Sequence, residues 1–139
     1  MIEKLNINEI EDLEKVFSEV FIKDKVLYDI KNNSFTNYYV YKDNEKIVAC
    51  INYQVMYERS ELIDINVVSD YQNKGIASKL LEFMINDLKK RKVENITLEV
   101  KETNKKAIHL YKKYNFKEVS IRKGYYQGID GILMKKELM

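Results

Sequence analysis

A change in the period of apolar residues after Val68 most constrains what this chain can fold into. Between Lys46 and Val68 the chain is rich in β-branched and aromatic residues, which is typical of strands. From Gly75 to Lys90 the apolar residues recur at helical spacing and form one stripe, namely Ala77, Leu80, Leu81, Met84, Ile85 and Leu88. Strands that lead directly into a long amphipathic helix predict a layered α/β or α+β fold.

The segments before this change predict two helices and three antiparallel strands. Apolar residues at helical spacing predict the first helix, with Asn8 and Glu11 as a capping box; they are Ile10, Leu13, Phe17, Val20 and Phe21. A second short helix is expected over Lys25 to Ile30. The expected strands and turns are Tyr38 to Tyr41, a turn at Asp43-Asn44, Lys46 to Tyr57, a turn at Arg59-Ser60, and Glu61 to Val68.

The segments after the long helix predict one more helix and three more strands. Ile96 to Val100 is expected to be a strand, and Asn104 is expected to cap a helix. The inner face of that helix is predicted to hold Ala107, Leu110, Tyr111 and Tyr114. Two final strands are expected at Phe116 to Ile121 and Gly131 to Lys136. The whole chain, residues 1–139, is expected to form a single domain with a mixed sheet of about six to seven strands and about four helices.

Composition excludes several classes of function. One cysteine, Cys50, and one histidine, His109, argue against an internal disulfide and a zinc site, so no metal is expected. The net charge of +2 gives no basic face for nucleic acid, and the run Lys89 to Lys92 is interpreted as the last turn of a helix. The amino-terminal segment is too charged for a signal peptide, and no apolar run could span a membrane. We therefore expect a cytoplasmic protein, a monomer or weak dimer, without membrane or nucleic-acid partners.

The start of the long helix carries the first motif. Gln72, Gly75 and Ala77 form the pattern Gln-x-x-Gly-x-Ala where the helix begins. The first turn of a helix has unpaired N–H groups and partial positive charge, and small residues let an anion approach the backbone. The pattern is neither a Walker loop nor a dinucleotide-binding fingerprint. It favours a phosphate site, although an ordinary helix start with a tolerated glycine would look the same.

A second pattern makes the first more specific. Its members follow one another at fixed spacing between Leu98 and Tyr126; they are Asn104, Ala107, Leu110-Tyr111, Asn115-Phe116, Arg122 and Tyr125-Tyr126. Together with the helix motif they resemble the GNAT acetyltransferase family, and most of all its ribosomal-protein-alanine N-acetyltransferase branch. The resemblance runs from about Glu61 to Met134. It implies the GNAT fold and transfer of an acetyl group from acetyl-CoA to a primary amine.

The resemblance also implies a role for individual residues on the cofactor side. The strand segment Ile65, Asn66 and Val67 would meet the acetyl and pantetheine arm of acetyl-CoA through backbone groups. The residues around the helix start would hold the pyrophosphate, and they are Gln72, Asn73, Lys74, Gly75, Ile76, Ala77 and Ser78. Asn104 would contact the cofactor near its thiol. Asn73 stands where the family commonly has a basic residue, and Lys74 could replace that contact.

For catalysis, the resemblance implies that Glu99 is the general base, directly or through water, and that Tyr111 protonates the leaving thiolate. The resemblance also implies the α-amine of a protein amino terminus as the acceptor. Its pKa of about 8 supports this expectation, because such an amine is far easier to deprotonate than a lysine. Two alternatives stay open, a small-molecule amine such as a polyamine or an antibiotic, and a binding module for acetyl-CoA without catalysis. Glu99 could also be a cross-strand partner of a lysine, Tyr111 a core aromatic, and Asn104 only a helix cap.

Overall fold

The computed structural model describes residues 1–139 and contains seven strands and four α-helices. In chain order they are β1 (Ile2–Lys4), α1 (Ile10–Val16), α2 (Lys23–Asn32), β2 (Thr36–Asp43), β3 (Lys46–Met56), β4 (Arg59–Val67), α3 (Ile76–Lys90), β5 (Asn95–Lys101), α4 (Lys105–Lys113), β6 (Lys117–Tyr126) and β7 (Ile129–Glu137). This mixed architecture confirms the expected fold class. The assignment of the whole chain to a single domain stays a prediction. No helix is both long enough and apolar enough to cross a membrane.

All seven strands form one sheet in the order β1-β2-β3-β4-β5-β7-β6. Neighbouring strands run antiparallel except at the centre, where β4 and β5 are parallel. A parallel pair needs a crossover connection, and α3 supplies it, which explains why one long helix follows β4. The centre of the sheet is thus the one place where the strand direction does not alternate.

Each side of the sheet has its own apolar core. On the side covered by α3 and α4, which we call the α3/α4 face, a large cluster is built around Leu80, Leu81, Met84 and Leu88. On the opposite side, the α1/α2 face, a smaller cluster joins helix residues such as Leu13 to the sheet. Cys50 is fully buried in that smaller cluster, as expected for a small apolar side chain.

Two local expectations were wrong. The capping box lies at Asn6 and Glu9 rather than at Asn8 and Glu11, because Asn6 accepts a hydrogen bond from the Asn8 N–H (3.0 Å) and Glu9 accepts one from the Asn6 N–H (3.1 Å). Both pairs fit the sequence pattern, and the chain uses the earlier one for a short 3₁₀ turn before α1. The turn expected at Arg59-Ser60 lies before Arg59, which already belongs to β4.

The expectation for the end of the long helix was confirmed. Lys89 and Lys90 lie in the last turn of α3, where cations offset the partial negative charge of the helix end. Asn115 follows α4 with a positive φ of 68°, so asparagine takes the left-handed conformation that a glycine would otherwise provide.

Candidate active site

β4 and β5 separate partway along their length and form a fork. They pair only from Arg59 opposite Asn95 to Glu61 opposite Thr97, although both strands continue beyond that point. The separation coincides with a β-bulge, because Leu62 lies opposite Tyr53 and Asp64 opposite Asn52, which leaves Ile63 without a partner on β3. An extra residue bends its strand and increases its local twist. The bulge therefore directs β4 away from β5.

A cleft of about 620 Å³ opens on the α3/α4 face of the fork. Its walls come from β4, the start of α3 and the side of α4. The expected site residues that line it are Ile65, Val67, Gln72, Asn73, Gly75, Ile76, Ala77, Ser78, Asn104 and Tyr111. The cleft thus brings together segments that lie far apart in the sequence. Asn66, Lys74 and Glu99 lie outside its lining.

The start of α3 presents free backbone donors to this cleft. Gly75 precedes the helix with a φ of +81°, and no side chain caps the helix amino terminus. A Cβ at Gly75 would have no heavy atom within 4 Å, so the glycine faces open space. The N–H groups of Ile76, Ala77 and Ser78 occupy the first turn, where no helical carbonyl can accept from them. This arrangement fits a phosphate group, because such a turn binds anions.

Gln72 and Lys74 have contacts within the protein. The Gln72 side-chain amide donates to the Val67 carbonyl at 3.0 Å and so ties the loop back to β4. The Lys74 ammonium lies over the Tyr71 ring, 5.2 Å from its centroid. The basic side chains that line the cleft are Lys105 and Lys106, at the start of α4. Sequence reasoning missed this pair, although its place directly after the helix cap was a usable signal.

The backbone of β4 offers further donors at the fork. The Val68 N–H donates to the Val48 carbonyl of β3 at 2.9 Å. Because the N–H groups of a strand alternate in direction, those of Val67 and Ile65 point away from β3, toward the fork. Asn66 pairs with Cys50 of β3, so its side chain points to the α1/α2 face. Its Nδ2 is buried without a hydrogen-bond partner.

α4 places one tyrosine in the cleft. Asn104 caps the helix, since its Oδ1 accepts from the Ala107 N–H at 3.2 Å, and it also lines the cleft. The expected inner face was correct but incomplete: Ala107, Leu110, Tyr111 and Tyr114 pack against the core, and α4 also buries Ile108 there. Leu110 and Tyr111 are only partly buried because they face the cleft. Burial raises the pKa of Tyr111 to about 12, with a smaller contribution from the charge of Asp64.

His109 is exposed, and its side chain borders the cleft. No hydrogen bond or ion pair involves its imidazole, so the geometry gives it no orienting partner of the kind a general base needs.

Glu99 lies on the α1/α2 face of the fork, across the sheet from the cleft. Its neighbours Leu98 and Val100 are buried in the core on the α3/α4 face, so alternation turns Glu99 the other way. Both of its oxygens accept hydrogen bonds, one from the Tyr126 hydroxyl at 2.7 Å and one from Arg122 Nη1 at 3.1 Å. These bonds fix the orientation of the carboxylate.

The bond to Glu99 also affects Tyr126. It raises the pKa of Tyr126 to about 12, with burial as the second cause. The neighbouring Gly131 leaves room for the ring, because a Cβ there would approach a ring carbon of Tyr126 to 2.9 Å. Arg122 and Tyr126 belong to the pattern noted in the sequence, but no role was expected for them. Their contact with Glu99 gives them one, as residues that position it.

This chain belongs to the acetyltransferase (GNAT) family, whose family model matches residues 6–116. Over 88 residues it is 41% identical to the [ribosomal protein bS18]-alanine N-acetyltransferase of Escherichia coli strain K12, a match that covers 63% of this chain and 60% of the relative. It is 43% identical over 82 residues to an N-alpha-acetyltransferase of Saccharolobus solfataricus, covering 58% of this chain and 49% of that protein. The matches thus span about half to three fifths of these curated relatives.

Among solved structures, the crystal structure of the Escherichia coli ribosomal-protein-S18-alanine N-acetyltransferase superposes with a TM-score of 0.88 at 28% identity. That superposition covers 99% of this chain and 93% of the other. The likeness in fold therefore includes the first 60 residues, where the sequence carries no motif.

Proposed function

We propose that this protein transfers an acetyl group from acetyl-CoA to the α-amine of a protein amino terminus. The fork carries the proposal, because it joins a cofactor-sized cleft on one face of the sheet to a positioned carboxylate on the other. Two substrates could approach from opposite faces and meet between β4 and β5. The names of the two relatives, both amino-terminal or alanine N-acetyltransferases, support this choice of acceptor.

The cleft fits acetyl-CoA in both size and chemistry. The free N–H groups in the first turn of α3 would bind the pyrophosphate, with Gly75 allowing close approach. Lys105 and Lys106 would add positive charge along the same wall. The N–H groups of Ile65 and Val67 point to the fork, where they would orient the pantetheine arm and the thioester oxygen. Donors fixed at that oxygen would stabilise the negative charge that develops during acyl transfer.

The reaction needs a neutral amine and a protonated leaving thiol. Glu99 would accept a proton from the acceptor ammonium, directly or through one water molecule. The amine nitrogen would then attack the thioester carbon, forming the C–N bond while the C–S bond breaks. Tyr111 would donate its phenolic proton to the departing sulfur and regain one from solvent, and the nitrogen would release its second proton to solvent as the amide forms. A pKa of about 12 keeps that phenol protonated at neutral pH, so the donor is ready in every cycle.

Thiol release from acetyl-CoA tests the proposal directly. The panel holds peptides that begin with a free alanine, the same peptides with a blocked amino terminus and an internal lysine, and polyamines. We expect turnover with the free-amine peptides and little with the other two groups. Turnover restricted to polyamines would reject the protein acceptor and keep the reaction. Cofactor binding without turnover on any amine would favour a binding module.

A further inference from the structure

Asp64 is a carboxylate that the proposed mechanism leaves unused, and it lies just past the fork. It follows the bulge on β4 and stands opposite Asn52 on β3. Cys50, two residues from Asn52, is buried in the core on the α1/α2 face, so Asn52 and Asp64 point to that same face. Glu99 on β5 also points there. The two carboxylates therefore lie on the same face, on opposite arms of the fork.

Asp64 differs from Glu99 in having no compensation within the protein. It is half-buried, yet it accepts no hydrogen bond and forms no ion pair, and desolvation alone raises its pKa. Glu99, in contrast, is paired with Arg122. A half-buried charge without a partner costs stability, and such groups persist mostly at functional sites.

The surroundings of Asp64 are polar and also incompletely paired. Asn66, two residues further along β4, has a buried Nδ2 that lacks an acceptor. Asn52 uses its Oδ1 to accept a hydrogen bond from the Thr36 hydroxyl at 3.2 Å. The other ionisable groups whose pKa responds to the charge of Asp64 are Tyr38, Cys50 and Tyr111, none of which is a cation. The site thus offers one negative charge, and no cation of the chain is paired with it.

We propose that Asp64 is a specificity-determining residue that binds the ammonium group of the acceptor as it enters the fork. This inference rests on the function proposed above, because the α-ammonium is the cation that the reaction brings to this point. Asp64 would hold the charged amine at the arm formed by β4, and Glu99 would then remove its proton from the arm formed by β5. One uncompensated carboxylate matches a single ammonium better than it matches a polycation.

The proposal has a kinetic signature. The acceptor nitrogen carries positive charge when it binds and again as it attacks the thioester carbon, so the interaction with Asp64 would stabilise the bound state and the transition state to a similar extent. Its removal should raise the KM for the acceptor and leave kcat nearly unchanged. Loss of the general base would instead lower kcat.

The experiment compares the wild type with Asp64→Asn, Asp64→Glu and the control Asp12→Asn, whose carboxylate is exposed on α1. Acetyl-CoA is saturating, the acceptor is a peptide with a free amino terminus, and the competitor is the same peptide with hydrogen in place of its amine. For Asp64→Asn we expect the KM of the amine peptide to rise about tenfold, as for a lost charged hydrogen bond. Asp64→Glu should restore part of the affinity, and Asp12→Asn should resemble the wild type.

The competitor separates charge recognition from structural damage. Its inhibition constant should be the same for the wild type and Asp64→Asn, since it carries no ammonium. A parallel weakening of competitor and substrate would overturn the proposal, as would an unchanged KM. A fall in kcat at constant KM would make Asp64 a proton acceptor instead. A wild type that acetylates no free-amine peptide would reject the proposed function itself.

Discussion

The two faces of the fork are built by different means. On the α3/α4 face, the cleft presents backbone groups at the start of α3 and along β4, together with Tyr111, the side chain proposed as the proton donor. On the α1/α2 face, the chemistry lies in side chains from separate strands, Asp64 from β4 and Glu99 from β5, supported by Arg122 from β6. Under the proposed function, one face would bind a constant cofactor with its main chain, while the other would bind an acceptor with side chains that can vary.

The largest effect is expected from a change at Glu99, on the α1/α2 face. Glu99→Gln keeps the shape of the side chain but removes its capacity to accept a proton. We expect kcat to fall about 100-fold or more, with acetyl-CoA affinity unchanged, because general base catalysis contributes on that scale. Steady-state kinetics and cofactor titration measure the two quantities. The matched control is Glu118→Gln, a strand glutamate that is also paired with a cation. A variant with full activity would show that Glu99 is only structural.

On the α3/α4 face, the corresponding change is Tyr111→Phe. It removes the proton donor while keeping the ring, and we expect kcat to fall about 100-fold with little change in acetyl-CoA affinity. The exposed Tyr57 provides the control Tyr57→Phe. Because the pKa of Tyr111 is raised to about 12, the wild-type rate should show no loss from its ionisation up to about pH 10. A Tyr111-dependent decline near pH 9 would contradict this placement.

A substitution that alters the backbone at the start of α3 should affect binding of acetyl-CoA on the α3/α4 face alone. Gly75→Ala forces a Cβ onto a residue with φ of +81° and into the space before α3. We expect the Kd for acetyl-CoA to rise about tenfold, with roughly 1 kcal/mol of lost stability from the left-handed conformation. The control Gly128→Ala has a similar conformation, φ of +91°, in the β6–β7 turn. It should lose similar stability and bind acetyl-CoA normally. Equal losses of affinity in both variants would leave no special role for Gly75.

The smallest effect concerns the stability cost of Asp64. Its pKa is higher in the folded than in the unfolded state, so folding takes up protons and stability falls as pH rises above the ordinary pKa of an aspartate. Asp64→Asn should therefore be more stable than the wild type at neutral pH, by about 1 kcal/mol or less. The difference should disappear in acid, where Asp64 is protonated in both states. Thermal unfolding at several pH values measures it, and a less stable variant at neutral pH would contradict an unpaired charge.

The same comparison explains what the sequence could predict. The helix start at Gly75 and the cap at Asn104 are local features, so the sequence itself predicted both helices, and the small residues at the first helix start predicted a phosphate site. The place of Asn104 beside a cofactor was predicted only from the family resemblance. The role of Glu99 was predicted only from the resemblance of the chain to a family. Alternation along a strand indicates which face a side chain points to, but it does not indicate which residues lie beside it. The partners of Glu99, Arg122 and Tyr126, come from a strand later in the chain. Asp64 was not predicted as a site residue. Its lack of a hydrogen-bond or ion-pair partner follows from the bulge in β4 and from the separation of β4 and β5.

The unpaired residue Ile63 has a consequence for how this site can be lost. The bulge exists because β4 has one residue more than β3 at this point, whatever side chain that residue carries. If Ile63 were removed, Leu62 and Asp64 would still lie opposite Tyr53 and Asn52, now without a bulge between them. Deletion would restore continuous pairing with β3, straighten β4 and let it run on beside β5, with every other side chain intact. Substitutions at position 63 should thus be tolerated while a one-codon deletion silences the protein, a contrast that a library scan of substitutions alone would never uncover.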